Sequence, residues 1–242
     1  MKEEFIRTAA AYGKTAMQNL NNAHIALFGV GGVGSYTLEA LVRSGIGNID
    51  IFDNDTVSVS NINRQIIALQ DNVGQPKTQV AALRARSINP DINITGFNMF
   101  FLPQNADTVD FSKYDYIVDA VDTVAAKIEI IVRADKYGIP VISVMGTGNK
   151  TDPTLLCVTD IYKTHGCPLA RVMRSELKKR GITALKTVWS PEKPLTPNNF
   201  AEVKPNGRPA PASTAFVPAA AGIIAAAEVV NFLANKNLPS DM

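Results

Sequence analysis

The chain has 242 residues, 46% of them hydrophobic, so it can bury a substantial core and fits the size of one large α/β domain. Its 24 Lys and Arg nearly balance 22 Asp and Glu, and the resulting net charge of +2 does not mark the whole chain as a nucleic-acid binder. Two cysteines, Cys157 and Cys167, are too few for a disulfide framework and lack the C-x-x-C spacing of structural zinc sites. We therefore expect a cytoplasmic protein without structural zinc.

Neither end of the chain is predicted to be a targeting signal or a membrane-spanning segment. Residues 1–22 mix charged and apolar side chains without the continuous apolar stretch of a secretory signal, and they are interpreted as an N-terminal helical segment. The apolar stretch 215–227 is shorter than the roughly twenty residues of a membrane span. It is interpreted as part of a buried closing helix over 219–235, and stable membrane insertion is not expected.

A strand, a glycine turn and a helix follow the N-terminal segment. The apolar run 24–28 leads into Gly29-Val30-Gly31-Gly32-Val33-Gly34, and residues 35–44 then have helical periodicity. The next apolar run ends at Asp53. These elements predict a βαβ unit.

The middle of the chain continues the alternation of strands and helices. Pro76 is placed to begin a helix that runs to about Ile88, with Val80, Leu83 and Ile88 on its apolar side and Arg84 and Arg86 towards solvent. The remaining predicted elements are strands at 92–97, 114–119 and 140–145, and a helix at 124–137. Such alternation is typical of a doubly wound, mostly parallel, Rossmann-like α/β sheet.

The pattern changes after Gly146, where a C-terminal extension is predicted. It contains strands at 155–161 and 184–189, with a basic helix at 168–180 between them. Residues 190–218 hold seven of the fourteen prolines, a density that favours a long crossover loop over regular structure. The expected organisation is a single domain over residues 1–242.

The glycine turn is the first sign of chemistry. Glycines let a backbone approach a phosphate, and the following helix offers unpaired N–H groups, so Gly29, Gly31, Gly32 and Gly34 predict a nucleotide site. Glycines alone leave an NAD or FAD site open, with Asp53 on the ribose. Beyond Asp53, however, Asn61, Arg64 and Lys77 follow, and this cluster favours a triphosphate whose charge redistributes as pyrophosphate leaves.

Two carboxylates stand where the fourth strand of the sheet ends, at Asp119 and Asp122. Ligands collect at the carboxyl ends of strands in open α/β sheets, and Mg²⁺ takes one or two carboxylates together with phosphate oxygens. We expect Asp122 to be the magnesium ligand. Asp119 is interpreted as a helix-capping or turn residue.

Five motifs occur in one order: Gly29-x-Gly-Gly-x-Gly34, Asp53-x-Asp55, Asn61-x-Asn-Arg64-Gln65, Gly74-x-Pro-Lys77 and Asp119-x-x-Asp122. They resemble the adenylation domain shared by ubiquitin-activating enzymes and the adenylyltransferases of molybdopterin and thiamine biosynthesis. The resemblance implies ATP and Mg²⁺, with Gly32 against the nucleotide and Asp53 on the ribose hydroxyls. It also implies phosphate contacts from Asn61, Arg64 and Lys77, Mg²⁺ at Asp122, and a homodimer in which Arg7 reaches into the partner subunit's site.

The second half of the chain resembles the tRNA threonylcarbamoyladenosine dehydratases, through segments such as Asp152-Pro153-Thr154, Cys167-Pro168-Leu169-Ala170 and Val188-Trp189-Ser190-Pro191. The resemblance implies ATP-dependent cyclisation, by loss of water, of threonylcarbamoyladenosine beside the tRNA anticodon, through an acyl adenylate. It leaves room for a sulfur-relay protein as partner. Cys167 replaces the acid that many members carry before Pro-Leu-Ala, and it is interpreted either as a reactive thiolate or as a partly buried bystander.

Three other functions stay open. A carrier-protein adenylyltransferase would activate a Gly-Gly terminus, but such enzymes usually carry two C-x-x-C pairs, and several add a crossover-loop cysteine. An NAD-dependent oxidoreductase and a non-catalytic nucleotide scaffold would not need the cluster of Arg64, Lys77 and Asp122.

The basic helix 168–180 is predicted to hold the tRNA backbone. Arg171, Arg174 and Lys178 recur at three- and four-residue intervals, so they are expected to share one face. The apolar side, expected to dock on the sheet, comprises Leu169, Val172, Met173 and Leu177. An ordinary solvated helix face is the alternative interpretation.

Overall fold

A computed structural model describes residues 2–198 and 210–236, and within these ranges seven strands form one sheet in the order β3-β2-β1-β4-β5-β7-β6. Neighbouring strands pair in parallel except β6, which is antiparallel to β7. The strands are β1 (His24–Phe28), β2 (Asn48–Asp53), β3 (Asn93–Asn98), β4 (Tyr116–Asp119), β5 (Val141–Val144), β6 (Cys157–Asp160) and β7 (Lys186–Trp189). The predicted α/β, Rossmann-like class is confirmed.

Helices cover both faces of the sheet. They are α1 (Ile6–Tyr12), α2 (Lys14–Asn22), α3 (Gly34–Arg43), α4 (Lys77–Ile88), α5 (Val124–Tyr137), α6 (Pro168–Lys179) and α7 (Phe216–Ala234). Residues of α2, α3, α4 and α7 contribute to one apolar core, whereas α5 divides its buried side chains between two further clusters, the second of which it shares with α6. The N-terminal segment is helical but is broken at Gly13, whose φ is +84°.

Strand β1 shows why the sheet is covered on both sides. Its side chains alternate, with Ile25 and Leu27 in the larger core and Ala26 and Phe28 in the aromatic cluster on the other face. Phe28 stacks on Phe52 with ring centroids 4.5 Å apart. A strand that is apolar on both faces fits only between two helical layers.

Helix α4 presents a different face from the predicted one. Leu83 was expected to be buried but is 57% exposed, whereas Arg84 donates to the Glu39 carboxylate of α3 at 2.7 and 3.1 Å. The buried face consists largely of alanines, Ala81, Ala82 and Ala85. Small side chains let α4 approach its neighbours closely. The apolar periodicity predicted that Leu83 is buried because it is large and apolar, but the buried face is built from small residues instead.

Helix α7 is longer than predicted, because it begins at Phe216 and takes Pro218 into its first turn, where the missing proline N–H has no intrahelical partner to lose. By length and composition alone this 19-residue helix, of mean hydropathy 1.8, could cross a membrane. More than half of it is buried in the protein. It packs on α3, where Gly222 lies so close to the Val33 carbonyl that an added Cβ would stand 2.3 Å from the oxygen.

A buried ion pair joins the ends of β4 and β5 to α5. Lys127 is fully buried, and its Nζ donates to Asp119 Oδ2 at 2.9 Å, to Ser143 Oγ at 3.3 Å and to the Val144 carbonyl at 2.8 Å. Asp119 was interpreted from the sequence as a capping or turn residue, and its Oδ1 does accept from the Val121 N–H of the following turn at 3.3 Å. Its Oδ2 is in addition the partner of a buried cation. Sequence spacing does not reveal that Lys127 turns inward.

We expect Lys127→Met to lower the free energy of unfolding by about 3 to 5 kcal/mol, because it leaves the Asp119 carboxylate buried without its cation. Adding Asp119→Leu should recover much of this loss, since an apolar pair needs no charge compensation. Urea unfolding of the free protein measures both effects. Lys136→Met, at an exposed position on the same helix, is the control, and an equally small effect at Lys127 would contradict the role of the ion pair.

Candidate functional site

A pocket of about 710 Å³ opens at the carboxyl ends of the parallel strands. The glycine turn after β1, the residues after β2, the loop after β4 and the loop after β5 all contribute to its wall. In open parallel sheets with helices on both faces, ligands bind at the carboxyl ends of the strands. Of the residues predicted to bind ATP or Mg²⁺, the lining includes Gly29, Gly31, Gly32, Asp53, Asn61, Arg64, Lys77 and Asp122.

Gly34 differs from the other predicted glycines because it does not line the pocket. It begins α3 directly beneath the turn, where an added Cβ would stand 1.8 Å from the Gly29 carbonyl oxygen. Its role in the structure is therefore to let β1 turn into α3 rather than to touch a ligand. Gly29 has a φ of +87°, a conformation that favours glycine.

Asp53 holds the glycine turn in place. One carboxylate oxygen accepts from the Val30 N–H at 2.8 Å and the other from the Asp55 N–H at 2.9 Å. The carboxylate therefore ties the end of β2 to the turn after β1, and it also lines the pocket. Each oxygen has a further lone pair that could accept from a ribose hydroxyl.

Arg64 and Asn61 stand on the turn after β2. The Arg64 Nη1 donates to the Ser60 carbonyl at 2.7 Å and to Asn63 Oδ1 at 3.0 Å, which leaves other guanidinium N–H groups for a ligand. Asn61 is buried, and its Oδ1 accepts from the Ser58 N–H at 3.2 Å. This turn thus brings an oriented cation and an amide to the same wall of the pocket.

Lys77 is the first residue of α4 and is only 5% exposed. Its Nζ lies 2.7 Å from Asp55 Oδ2, and its backbone N–H donates to the Asp55 carbonyl at 2.9 Å. The sequence motif Asp53-x-Asp55 contains this residue, but the sequence did not predict that Asp55 pairs with Lys77. The Asp55 carboxylate compensates the charge of the buried Lys77 ammonium group.

Asp122 is exposed to the pocket in the loop after β4, where its Oδ1 is 3.4 Å from the Thr123 hydroxyl. Within the described ranges it forms no ion pair. Among residues 2–198 and 210–236, no group of three His, Cys, Asp or Glu side chains converges there to hold a metal. A single carboxylate that lines the same pocket as Arg64 and Lys77 nevertheless fits Mg²⁺, which keeps several waters and shares phosphate oxygens.

An apolar wall lines the pocket on the side of strand β3, and the sequence analysis did not predict it. Met99, Phe100 and Phe101 follow directly after β3, and Phe52, Val121 and Ala126 face the same space. Flat apolar side chains suit the face of a nucleobase. The sequence signal that could have found this wall is the aromatic pair Phe100-Phe101 shortly after the predicted strand.

The far end of the pocket belongs to the second half of the chain. Its lining comprises Val144–Gly148 after β5, Leu169 in the first turn of α6, and Ala210, Pro211 and Ser213. Sequence analysis assigned none of these to the site. Nearby, Lys150 is buried and donates to the Ser190 carbonyl at 2.7 Å, and burial lowers the pKa of its ammonium group.

The remaining predicted residues lie outside this pocket. Arg7 is exposed on α1, and Arg171 and Lys178 are exposed on α6. Arg174 is only partly exposed because it donates to the Thr164 hydroxyl. The prediction that Val172 docks on the sheet is wrong, since it is 45% exposed and Ala170, Met173 and Leu177 form the buried side.

Cys167 is buried, and its sulfur accepts from the Ala170 N–H at 3.5 Å, so it caps α6. Cys157 is exposed on the edge strand β6. Neither cysteine lines the pocket. The geometry thus favours the interpretation of Cys167 as a buried structural residue over a reactive one.

Known proteins were compared with the chain. Residues 5–241 match the ThiF family model. A Bacillus subtilis protein called tRNA threonylcarbamoyladenosine dehydratase is 40% identical over 240 residues, which cover 95% of this chain and 94% of that protein. An Escherichia coli protein of the same name is 44% identical over 73% of this chain and 66% of its own length.

Solved structures agree with the sequence comparison. The crystal structure of the E. coli tRNA N6-threonylcarbamoyladenosine dehydratase TcdA in complex with AMP has a TM-score of 0.88 at 36% identity, covering 97% of this chain and 95% of that one. Its complex with ATP has a TM-score of 0.85 at the same identity and coverage. The resemblance inferred from the sequence is confirmed, and the chain belongs to the ThiF family and, within it, to the tRNA threonylcarbamoyladenosine dehydratases.

Proposed function

We propose that the chain is an ATP-dependent enzyme that cyclises threonylcarbamoyladenosine next to the anticodon of tRNA, with loss of water. The observation that carries the proposal is one pocket in which Asp53, Arg64, Lys77 and Asp122 meet, in a chain that matches a dehydratase over nearly its whole length. The E. coli relative, TcdA, has been solved with ATP and with AMP. Those are the nucleotides that enter and leave an adenylation.

The reaction needs no enzyme nucleophile. A carboxylate oxygen of the threonyl group attacks the α-phosphorus of ATP, and the bond to pyrophosphate breaks. A nucleophilic atom of the same modified nucleoside then attacks the acyl carbon, AMP leaves with the original carboxylate oxygen, and a proton is released. Holding both reacting groups in one pocket makes ring closure an intramolecular step.

The described side chains suit the first step. Arg64 and Lys77 supply positive charge where the leaving pyrophosphate gains negative charge, and an oriented cation acts strongly in such a site. Lys77 would exchange its bond to the Asp55 carboxylate for phosphate oxygens. Mg²⁺ held at Asp122 would neutralise phosphate charge and orient the leaving group.

Incubation with ATP, Mg²⁺ and tRNA carrying the threonylcarbamoyl group tests the proposal. The nucleoside released by digestion should be lighter by one water, with AMP and pyrophosphate formed in equal amounts. A carrier protein ending in Gly-Gly is the matched second substrate. Pyrophosphate exchange with that protein, and an unchanged nucleoside, would favour the carrier-protein adenylyltransferase instead.

That alternative has support in a Candida glabrata adenylyltransferase and sulfurtransferase, UBA4, which is 34% identical over 64% of this chain but only 36% of its own length. The absence of either cysteine from the pocket lining weighs against it, because several such enzymes use a crossover-loop thiol. A sulfur-relay protein as partner and a cytoplasmic location stay predictions.

Arg64→Ala and Lys77→Ala are each expected to lower kcat by about a hundredfold or more, because each removes charge from the developing pyrophosphate. Steady-state turnover of the modified tRNA measures the loss, and thermal unfolding checks the fold. Arg43→Ala removes an exposed cation at the end of α3 and should leave turnover unchanged. Near-normal rates in both pocket variants would contradict the assignment.

We further propose that the active form is a homodimer in which Arg7 of one subunit completes the partner's site. In support, Arg7 is exposed on α1 and forms no ion pair within residues 2–198 and 210–236. A side chain without a role in its own subunit is available to another.

Mixing the inactive variants Arg7→Ala and Asp122→Asn should restore part of the activity, because some mixed dimers then contain one intact site. The readout is turnover after subunit exchange, with exchange itself followed by mass spectrometry of tagged chains. Each variant mixed with itself is the control. Absence of rescue despite proven exchange would reject the shared site.

We propose that α6 contacts the tRNA backbone while the modified nucleoside enters the far end of the pocket. Leu169, in the first turn of α6, lines the pocket, and the exposed Arg171 and Lys178 follow along the same helix. Neither cation forms an ion pair within the described residues, whereas Lys179 and Arg180 are both paired with Glu176. The unpaired positive charges of α6 thus begin near the pocket and continue along the helix away from it.

The double variant Arg171→Gln, Lys178→Gln is expected to weaken tRNA binding and to make its log-log salt dependence shallower by about 0.7 to 0.9 for each lost phosphate contact. Filter binding over a salt series measures this, with ATP affinity measured in parallel. Arg43→Gln, Lys136→Gln is the matched control. An unchanged slope in the α6 variant would move the tRNA surface elsewhere.

A further inference from the structure

Asn149, in the loop after β5, has an unusual backbone conformation. Its φ is +60°, and within the described ranges it is the one non-glycine residue with a positive φ. Residues with a side chain rarely adopt this left-handed region, and asparagine tolerates it better than most. A conformation of this kind persists where surrounding contacts impose it.

Those contacts join two separate stretches of the crossover loop. The Asn149 N–H donates to the Ala212 carbonyl at 2.7 Å, and the Asn149 Oδ1 accepts from the Ala212 N–H, also at 2.7 Å. The Asn149 carbonyl accepts from the Leu195 N–H at 2.7 Å. One residue therefore holds both Leu195 and Ala212, and we call this set of three hydrogen bonds the Asn149 clamp.

The next residues along the chain hold the same loop at its start. The Thr151 and Asp152 N–H groups donate to the Glu192 carboxylate at 2.8 and 3.1 Å. Together with the bond from Lys150 to the Ser190 carbonyl, they fix the beginning of the loop. The Asn149 clamp is the part of this connection that reaches the end of the loop.

The clamped end of the loop is a wall of the pocket. Ala210, Pro211 and Ser213 line the pocket on either side of Ala212. Pro211 packs directly on Gly148, where an added Cβ would stand 2.7 Å from the proline Cβ. The position of this wall therefore depends on residues 148 and 149, and also on Asn63, whose Nδ2 donates to the Ser213 carbonyl at 3.1 Å.

We propose that Asn149 is a positioning residue for the acyl substrate. It fixes the 210–213 wall, which faces the far end of the pocket, and thereby directs the carboxylate of a tRNA-bound nucleoside towards the α-phosphate of ATP. The inference rests on the proposed function. Of the residues assigned to ATP, Arg64 lines a second cavity together with residues 210–213, whereas Asp53, Lys77 and the apolar wall after β3 do not. The Asn149 clamp contacts none of these residues, so it acts on the second substrate through the 210–213 wall.

Asn149→Gly removes the side-chain acceptor while keeping a residue that adopts the positive φ without strain. The Ala212 amide should then exchange its hydrogen at least about fivefold faster, since it loses one modest hydrogen bond. Asn149→Asp keeps an acceptor oxygen and should retain the slow exchange. The Val30 amide, held by Asp53, is the internal control.

In turnover assays Asn149→Gly is expected to lower kcat by about tenfold or more through misplacement of the carboxylate. Its KM for ATP and for tRNA should stay within about twofold of wild type, because the nucleotide and backbone contacts are intact. Asn149→Asp should recover most of the turnover. Gly148→Ala, which displaces Pro211 without removing a hydrogen bond, should also lower kcat.

Unchanged Ala212 exchange in Asn149→Gly, or faster exchange with unchanged kcat, would overturn the positioning role. A rise in the KM for ATP alone would also overturn it, because the wall would then serve the nucleotide. If the wild-type protein fails to dehydrate the modified tRNA, the proposed function falls, while amide exchange still decides whether the clamp holds the loop.

Discussion

The structure depends on backbone packing around the glycine turn. Gly34 lies against the Gly29 carbonyl, and Gly222 of α7 lies against the Val33 carbonyl, so a Cβ at either position would collide with main-chain oxygen. The turn is therefore held between the strand beneath it and the last helix above it. Because this turn lines the pocket, the far C-terminal part of the described chain helps to shape the nucleotide end of the site.

Two lysines at or near the pocket are paired with carboxylates in different ways. Lys127 is fully buried with Asp119, and its Nζ has three acceptors. Lys77 instead pairs with Asp55, whose carboxylate is largely exposed and can give way to phosphate. The Lys127–Asp119 pair stabilises the ends of β4 and β5. The Lys77–Asp55 pair can be broken at a small cost in free energy, because the exposed Asp55 carboxylate is easily solvated again.

The two ends of the pocket come from different parts of the chain. Residues up to the loop after β4 supply one part of the lining, and residues after β5, including the 210–213 wall, supply the other. The two parts meet where Pro218 lies beside Gly32 and where the 210–213 wall lies beside Arg64. MccB from E. coli shares the fold with a TM-score of 0.68 at 21% identity. That likeness concerns the fold alone, so what each part of the pocket binds depends on the residues that this chain places there.

The sequence by itself determined the alternation of strands and helices, the nucleotide motifs and the family, because these depend on local periodicity and on residues fixed in order. It could not determine that Leu83 is exposed, that Lys127 turns inward to Asp119, or that Arg174 is tied to Thr164. Nor did it identify Asn149, whose partners Leu195 and Ala212 lie far along the chain. Such features are decided by which surfaces meet in three dimensions, and sequence periodicity carries no information about long-range partners.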